Sequence, residues 1–410
     1  DTIIFSEDAN QENANIIYID RLVKTLLWLK GGYKIYIAGP KYIANYLQRT
    51  YQTTGTRAFD YDFMSKIYEQ PFEVIHVTFD DVPKANENSK PLGRHLNGYR
   101  IGFDAGGSDR KVSAVAHGKA IYSEEIVWHP KLQTDPMYHR QGIMDSISRA
   151  ASKLPQVDAI GVSSAGIYID NKVMAASLFM KVAPDDFNQH IKHIFTDIAK
   201  EMGDVPIEVA NDGDVTALAG AMSLDHNKVL GIAMGTSEAA GYVDHLGHIT
   251  GWLNELAFVP VDYALTAMQD EWSLDYGCGV KYFSQDAVIK LASKVGISLD
   301  EKLSPAEKLK IVQELVEQKD DRALQIFDTI GIYLGYTLAY YHTFYDIDYC
   351  LILGRVTSGE GGQRILKYAS EVLKNEFNEL YQKMKIVLPD EENRRVGQSI
   401  AAASLPQLKG

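Results

Sequence analysis

One pattern occurs twice in this chain of 410 residues. A predicted strand ends in glycine and a small hydroxyl residue, and a second predicted strand follows the turn. The first copy ends in Asp-Ala-Gly-Gly-Ser at residues 104–108, and the second ends in Met-Gly-Thr-Ser at residues 234–237. Glycine has no Cβ, so the backbone N–H groups of such a turn are open to an anion. The repetition predicts a duplicated α/β unit whose two turns face each other and hold a polyphosphate between them.

The two turns contain the candidate phosphate ligands, and the first strand contains a candidate metal ligand. Asp104 is placed where a carboxylate can hold a metal ion through water. A plain hairpin turn with a capping aspartate is the alternative interpretation. The candidate phosphate ligands are Gly106, Gly107 and Ser108 in the first turn and Gly235, Thr236 and Ser237 in the second.

A strand–turn–helix pattern spans residues 207–220 and contains Asn-Asp-Gly-Asp at residues 211–214. This order places Asp212 at the carboxyl end of a strand, at the mouth of a cleft in an open α/β sheet. A carboxylate there can accept a proton from a substrate hydroxyl, and Asn211 can hold that hydroxyl in place. The alternative is an aspartate that merely caps the following helix.

Three further stretches are candidate ligand contacts. Small residues at 161–167, with Ser164 and Gly166, predict either close approach of a ligand or simple tight packing. Glu255 lies among small and apolar residues. It is either a candidate acceptor for a substrate hydroxyl or a charged residue at the edge of the sheet. Gly354 ends a buried strand before a polar glycine-rich loop and a helix, which suits the adenosine end of a nucleotide.

The order of these elements predicts the domain organisation. Residues 1–98 form a small α/β extension that ends in a polar linker over 80–97. Residues 99–220 form the first α/β domain, and residues 221–393 the second. A small-residue helix at 394–406 returns to the first domain. One continuous helix is expected over residues 291–319.

Composition excludes several classes of function. The net charge of −13 argues against a nucleic-acid partner, and residues 1–98 contain no basic helix-turn-helix pattern. No apolar run approaches 18 residues, so no membrane span is expected. The two cysteines exclude a disulfide framework. The chain opens without a leader pattern, so a cytoplasmic location is the expectation.

From residue 99 onward the chain resembles the ROK family of sugar kinases, within the actin/hexokinase/Hsp70-like ATPase superfamily. The resemblance implies two duplicated actin-like (ribonuclease H-like) ATPase domains around a cleft that closes on ATP and a sugar, plus the N-terminal extension. It also implies Mg²⁺ and a homodimer. The matching stretches are residues 104–108, 161–167, 211–212, 234–237, 253–257 and 351–354.

The resemblance implies a role for each candidate residue. Asp212 is the general base, and Asn211 and Glu255 bind sugar hydroxyls. Asp104 lies near Mg²⁺. Ser164, Gly166 and Ser177 belong to the sugar pocket; Gly106, Gly107, Ser108, Gly235, Thr236 and Ser237 hold the triphosphate of ATP; Gly354 lies at the adenosine.

The chain departs from the family pattern at four places. The Thr-Lys of the first phosphate motif is Ser108-Asp109, so an acid replaces a cation near the phosphates. Phe258 stands at the histidine of the sugar motif, and Ser177 at an asparagine. The cysteine-rich zinc segment is reduced to Cys278, and one thiol cannot form a tetrahedral site, so no structural zinc is expected.

These departures keep other functions open. The acceptor is a sugar or a sugar derivative and is not restricted to glucose. A non-catalytic sugar or nucleotide sensor on the same fold is the main alternative. Another reaction of the superfamily, such as acyl-phosphate formation or ATP hydrolysis, is a third hypothesis.

Overall fold

The computed structural model describes residues 1–6, 9–85, 91–264, 266–389 and 391–408, with the side chains of 391–396 excepted. Part of the predicted linker, residues 86–90, and part of the predicted terminal helix, the side chains of 394–396, lie outside this description. None of the described helices has the length and apolar character that crossing a bilayer requires.

The N-terminal segment forms a small α/β module, as its sequence pattern predicts. Its two strands pair in parallel, with Lys34 opposite Glu73. Trp28, Leu47 and Met64 are buried in a core that continues into the second large sheet. The elements are α1 (Glu12–Lys30), β1 (Lys34–Ala38), α2 (Lys41–Thr50), α3 (Ala58–Tyr68) and β2 (Glu73–Val77).

A mixed five-stranded sheet follows, and its first three strands form an antiparallel meander. The last strand leads directly into a helix that starts at Asp212. The elements of this region are β3 (Tyr99–Ala105), β4 (Asp109–Ala116), β5 (Lys119–Val127), α4 (Pro136–Ala151), β6 (Ala159–Ser164), β7 (Ile167–Ile169), β8 (Lys172–Ala175), α5 (Pro184–Asp186), α6 (Ile194–Glu201), β9 (Ile207–Asn211) and α7 (Asp212–Leu224).

The sheet order is β5-β4-β3-β6-β9, and β6 and β9 run parallel to β3. Ala105 pairs with Ser164, and Ser164 pairs with Asn211. The carboxyl ends of three parallel strands therefore stop at one edge of the sheet. This register brings the residues that follow each strand to the same place.

A second sheet begins with the same kind of hairpin. Its order is β11-β10-β12-β13, with β10 and β11 antiparallel and β12 and β13 parallel to β10. The elements are β10 (Val229–Met234), β11 (Glu238–Val243), α8 (Gln285–Lys294), α9 (Pro305–Glu317), α10 (Asp321–Tyr341), β12 (Tyr349–Leu353), α11 (Gly359–Glu376), α12 (Asn378–Lys383), β13 (Lys385–Val387) and α13 (Glu391–Ala403).

The expectation of one helix over residues 291–319 is wrong. The chain instead breaks at Gly296, whose φ of +74° lies in the left-handed region. A new helix then starts at Ser304, which forms a capping box with Glu307 and precedes Pro305. These are strong helix-start signals, and they outweigh the apolar periodicity that runs across the break.

Helices α7 and α13 lie between the two sheets and share a hydrophobic cluster with both. Val215, Val229 and Ala402 belong to this cluster. A Cβ on Gly102 of β3 would lie 1.9 Å from the carbonyl oxygen of Ser399, and one on Gly161 would lie 1.7 Å from that of Ala402. Only glycine permits this approach, so α13 packs directly on the backbone of the first sheet. The domain boundaries at 98 and 220 stay predictions.

A buried network of charges attaches the N-terminal module to the segment that precedes Cys278. Asp275 forms ion pairs with Arg21 at 2.7 Å, Lys24 at 2.9 Å and Arg57 at 2.7 Å. Arg57 also pairs with Asp20. Burial opposes ionisation of Asp275, but the charges of Lys24, Arg57 and Arg21 hold its pKa below the usual value.

Replacing Asp275 by Asn should destabilise the protein, because three buried cations would lose their shared carboxylate. Breaking a buried ion pair from one side costs about 3–5 kcal/mol. Thermal unfolding measured by circular dichroism should show a clear drop in the midpoint.

The matched control is Asp320→Asn. Asp320 pairs with Arg322 at 2.7 Å on the surface and caps α10, a role that Asn also performs. Its midpoint should hardly change, since an exposed pair contributes about 0–1 kcal/mol. Equal midpoints for the two variants would contradict the assigned role of Asp275.

Candidate active site

The turn from β9 into α7 places an aspartate at the edge where the parallel strands end. Asn211 is the N-cap, and its Oδ1 accepts a hydrogen bond from the Gly213 N–H at 2.7 Å. The carboxylate of Asp212 accepts from the same N–H at 3.0 Å. Since Asn211 caps the helix, the alternative of Asp212 as the cap is not needed to explain this sequence.

The side chain of Asn211 is fixed from its other end by Gly166. The Asn211 Nδ2 group donates to the Gly166 carbonyl at 2.8 Å. Gly166 has a φ of +138°, and a Cβ there would lie 2.4 Å from the Ala175 carbonyl oxygen. An amide has two donor hydrogens and two acceptor lone pairs, so Asn211 keeps one of each for a ligand.

Asp104 is the penultimate residue of β3, the parallel strand that β6 separates from β9. The residue is 8% exposed, and its Oδ1 accepts a hydrogen bond from the Ser163 hydroxyl at 2.8 Å. Burial raises the pKa of Asp104 to about 6, and the negative charges of Asp212 and Asp109 add to this effect. The two predicted carboxylates therefore interact electrostatically.

Glu255 approaches from the second half of the chain, just before a 3₁₀ turn at Leu256–Phe258. Burial raises its pKa to about 7, with a further contribution from the charge of Asp212. Burial also raises the pKa of Asp212, which makes its carboxylate a stronger base than a solvated aspartate. The structure thus brings together Asp104, Asp212 and Glu255, which are far apart in the sequence.

A buried hydrogen-bond chain holds the loop that carries Glu255. Asn254 donates from Nδ2 to Asp214 at 2.9 Å and accepts from the Tyr345 hydroxyl at 2.8 Å. Asn254 is 2% exposed and has a φ of +52°, a conformation that asparagine tolerates well. The sequence motif includes Asp214 and Asn254, but no local pattern reveals that they bond to each other.

The N-terminal module contacts the same loop through the end of α1. The carbonyl of Leu29 accepts from the Asn254 N–H at 3.0 Å, and that of Trp28 from the Glu255 N–H at 3.1 Å. The Trp28 ring also packs against Phe258, with ring centroids 4.3 Å apart. The last carbonyls of a helix have no partner within it, so α1 offers acceptors that hold Glu255 in place.

The first predicted phosphate turn connects β3 and β4 and is tied to the end of β5. Gly107 and Ser108 are exposed. The Trp128 indole N–H donates to the Gly106 carbonyl at 2.8 Å, and the Trp128 backbone N–H donates to that of Ser108 at 3.1 Å. The turn is therefore fixed from outside while two of its residues stay open to solvent.

The second predicted turn has the same exposed character. Thr236 and Ser237 are exposed between β10 and β11, and the Gly235 N–H donates to the Ser237 carbonyl at 3.0 Å. Gly354, with a φ of +103°, lies beside this strand end, since a Cβ there would be 2.3 Å from the Met234 carbonyl oxygen. The predicted adenosine loop and the second turn are therefore adjacent.

Two of the predicted sugar-pocket serines are placed differently from each other. Ser164 is buried at the end of β6, between Ala105 and Asn211 in the sheet register. Ser177 is exposed at the start of a 3₁₀ turn, Ser177–Phe179. Within the described parts of the chain, Ser177 makes no hydrogen bond to the three carboxylates, so its predicted role stays untested.

Glu238 is a buried carboxylate that the motif analysis missed. It is 3% exposed, and neither of its oxygens has a hydrogen-bond partner among the described residues. Burial raises its pKa to about 8, with a contribution from Glu255. A Cβ on Gly279 would lie 2.3 Å from its Oε2 atom, so the loop after Cys278 packs tightly over it.

A cavity of about 250 Å³ adjoins these groups along the edge of β9. Its walls include Asn211, Asp214 and Gly166, together with Tyr68 of the N-terminal module and Trp252. Polar groups beside two aromatic rings suit a small polar ligand. In the described part of the chain, no group of three or more His, Cys, Asp or Glu side chains is arranged to hold a metal ion.

Solved structures with this arrangement belong to the actin-like ATPase fold, as predicted. A ROK glucokinase from Streptomyces griseus, solved with glucose and AMPPNP, is 18% identical, with a TM-score of 0.52 over 75% of this chain and 99% of that one. A ROK hexokinase from Thermus thermophilus is 14% identical, with a TM-score of 0.57 over 74% and 97%.

A ROK transcriptional regulator, a homologue of the E. coli MLC protein, has the same fold. It is 16% identical, with a TM-score of 0.56 over 76% of this chain and 79% of that one. The ROK family profile matches residues 100–402, so the chain belongs to the ROK family. None of the curated proteins matches the sequence.

The buried acid at Glu238 should make stability depend on pH. Its folded-state pKa of about 8 exceeds the unfolded value of about 4.3, so the protonated form is favoured by folding. This contribution is fully present below about pH 4 and is lost as pH rises towards 8. Replacing Glu238 by Gln removes the ionisation, so the variant should gain in unfolding midpoint over the parent as pH rises from 5 to 9.

Glu317→Gln, an exposed position at the end of α9, is the matched control. Its midpoint should follow that of the parent at every pH. A constant difference between Glu238→Gln and the parent across pH 5–9 would show that Glu238 does not titrate in this range.

Proposed function

We propose that this protein transfers the terminal phosphoryl group of ATP to a hydroxyl of a sugar or sugar derivative, with Asp212 as general base. The observation that carries this proposal is the convergence of Asp212 and Glu255 with Asp104, at the edge where three parallel strands end. Asp104 leads directly into an open glycine turn. The carboxylate of Asp212 can thus accept a hydroxyl proton close to the turn that can hold a phosphate.

Asp212 is suited to the base role by position and by environment. It is partly exposed at the mouth of the cleft, and burial raises its pKa from the ordinary value for aspartate. A higher pKa strengthens the carboxylate as a proton acceptor. Phosphoryl transfer needs such positioning more than it needs covalent chemistry.

Asn211 and Glu255 are suited to hold the acceptor. Asn211 has a free donor and a free acceptor beyond its bonds to Gly166 and Gly213. Glu255, with a pKa of about 7, can accept from one sugar hydroxyl or, when protonated, donate to an oxygen. The cavity beside Asn211 has room for more of the acceptor. The glucose and AMPPNP of the Streptomyces griseus enzyme support this assignment by analogy of fold.

The nucleotide is proposed to lie across the two glycine turns. Gly106, Gly107 and Ser108 would hold one end of the triphosphate, and Gly235, Thr236 and Ser237 the other. Gly354 would lie beside the adenosine. The exposure of both turns and the contact between Gly354 and Met234 support this path.

Asp104 fits a role near Mg²⁺. Its buried carboxylate has one hydrogen bond from Ser163 and is repelled by Asp212, so a nearby cation would be favourable. The described residues do not form a protein cage for a metal, which agrees with an ion held by phosphates and water. When bound, Mg²⁺ supplies charge neutralisation on the phosphates.

The remaining parts of the proposal have separate grounds. The homodimer rests on the family resemblance. A cytoplasmic location, the absence of a nucleic-acid partner and the absence of structural zinc rest on the sequence, through the opening residues, the net charge of −13 and the single thiol of the zinc segment, Cys278. Light scattering coupled to size exclusion would measure the assembly directly.

A non-catalytic sensor is the second candidate. It is supported by the regulator that shares this fold and by the changes at Asp109 and Phe258. The retained Asn211-Asp212 pair and the two open turns support the kinase instead. Turnover separates the two functions, because a sensor would bind a sugar or a nucleotide without consuming ATP.

Purified protein should release ADP when supplied with ATP, Mg²⁺ and the correct member of a panel of hexoses, amino sugars and N-acyl sugars. Replacing Asp212 by Asn should lower kcat by about 10²–10⁴-fold, as loss of a general base does. In the parent, kcat/KM should fall towards acid pH, because protonated Asp212 cannot accept the proton.

Asp225→Asn is the control for this experiment. Asp225 is exposed at the other end of the same helix, with a φ of +55° that asparagine accepts. Its kcat should equal that of the parent. Absence of turnover with every sugar, despite binding of sugar or ATP, would reject the kinase and favour the sensor. Phosphorylation of a carboxylate acceptor alone would favour acyl-phosphate formation.

A further inference from the structure

The first glycine turn is surrounded by negative charge, which is a problem for a site that must receive a triphosphate. Asp104 precedes the turn, Asp109 follows it, and Asp212 lies across from it. Lys111 offsets only part of this charge, because its Nζ pairs with Asp109 at 3.1 Å. A further cation near the turn would be needed for tight phosphate binding.

Lys131 supplies a cation at this point. Its side chain lies over Gly107: its Cε is 2.9 Å and its Nζ 3.2 Å from the position that a Cβ on Gly107 would occupy. The ammonium group therefore rests against the backbone of the turn itself. The absence of a side chain at Gly107 is what gives Lys131 room there.

Hydrogen bonds attach the segment that contains Lys131 to the glycine turn. Trp128, three residues earlier, is 2% exposed and makes both of its hydrogen bonds to the turn, to the carbonyls of Gly106 and Ser108. The His129 N–H donates to the Tyr138 hydroxyl at 3.0 Å, and Pro130 is buried at the start of a 3₁₀ turn, Pro130–Leu132. The backbone under Lys131 is thus fixed relative to the phosphate turn.

The charge of Lys131 remains available to a ligand. Lys131 is exposed and forms no ion pair with the described residues. Burial raises the pKa of Asp212, and the positive charge of Lys131 acts in the opposite direction. Lys131 therefore lies over the proposed phosphate turn and within electrostatic reach of the proposed base.

We propose that Lys131 binds the γ-phosphate of ATP at the Gly106–Ser108 turn and stabilises the charge on that phosphate during transfer. This inference rests on the proposed function. In the step, a bond forms between the acceptor oxygen and the γ-phosphorus, and the bond from that phosphorus to the β,γ-bridging oxygen breaks. Asp212 takes the hydroxyl proton, and ADP leaves with the electron pair.

The test compares Lys131→Met, Lys131→Arg and the control Lys119→Met. Lys119 is exposed at the opposite end of β5, far along the strand from the turn. Isothermal titration would measure the Kd of ATP and of ADP for each variant, and ADP release would measure kcat and KM with the active sugar. Circular dichroism would verify that each variant is folded.

Lys131→Met should lower kcat by about 10²–10³-fold, the range for losing one preorganised charge-stabilising group. It should weaken ATP binding about tenfold or more while leaving the Kd of ADP and the KM of the sugar close to the parent values. Lys131→Arg should recover part of both losses, and Lys119→Met should equal the parent. This selectivity for the γ-phosphate is not expected from a merely structural role.

The other possible outcomes contradict the role of Lys131, the proposed kinase function, or both. A parent that turns over sugar while Lys131→Met retains its kcat and its preference for ATP overturns the inference alone. Equal weakening of ATP and ADP also overturns it. A parent that binds ATP without turnover rejects the kinase, yet the ratio of the two Kd values still decides the role of Lys131. A parent that binds no nucleotide overturns both proposals.

Discussion

The concentration of carboxylates at the strand ends is the constraint on which the rest of the structure depends. Burial raises the pKa values of Asp104, Asp212 and Glu255, and the charge of Asp212 adds to the shifts at Asp104 and Glu255. Burial also raises the pKa values of Asp214 and Glu238 to about 8, and the charge of Glu255 contributes to both shifts. Electrostatic repulsion between ionised carboxylates in such a cluster would drive the side chains apart. It persists because the strand register and the 253–257 loop are held from outside, so repulsion cannot open the site.

The N-terminal module is one of these outside supports. The carbonyls of Trp28 and Leu29 hold the backbone that carries Glu255, and the cations around Asp275 attach the module to the segment before Cys278. The ROK profile starts at residue 100, so this support lies outside the matched region. The module shares its core with the second sheet, and the chain therefore uses it as part of the body rather than as an appended domain.

The sequence predicts those features that residues close together in the chain determine. Asn211-Asp212 after an apolar strand predicts both the helix start and the carboxylate at the sheet edge, and the glycine turns predict open backbone. Features that depend on distant partners escape such reasoning. Glu238 looks like any strand residue until burial removes its solvent, and nothing near residue 28 indicates a contact with residue 255. Apolar periodicity alone does not reveal the break at Gly296, because the capping box at Ser304 and the left-handed φ of Gly296 decide it.

At the first predicted phosphate turn, the replacement of a cation by Asp109 has a different meaning in the sequence and in the fold. Along the sequence, Asp109 replaces a cation and weakens the case for phosphate binding. In the fold, Asp109 is paired with Lys111, and Lys131 reaches the turn from the end of β5. The charge next to the proposed phosphate position is then set by the lysine that lies over Gly107, not by the residue that follows Ser108. A change of sign at one position of a motif therefore does not by itself argue against catalysis when the fold brings another cation to the same place.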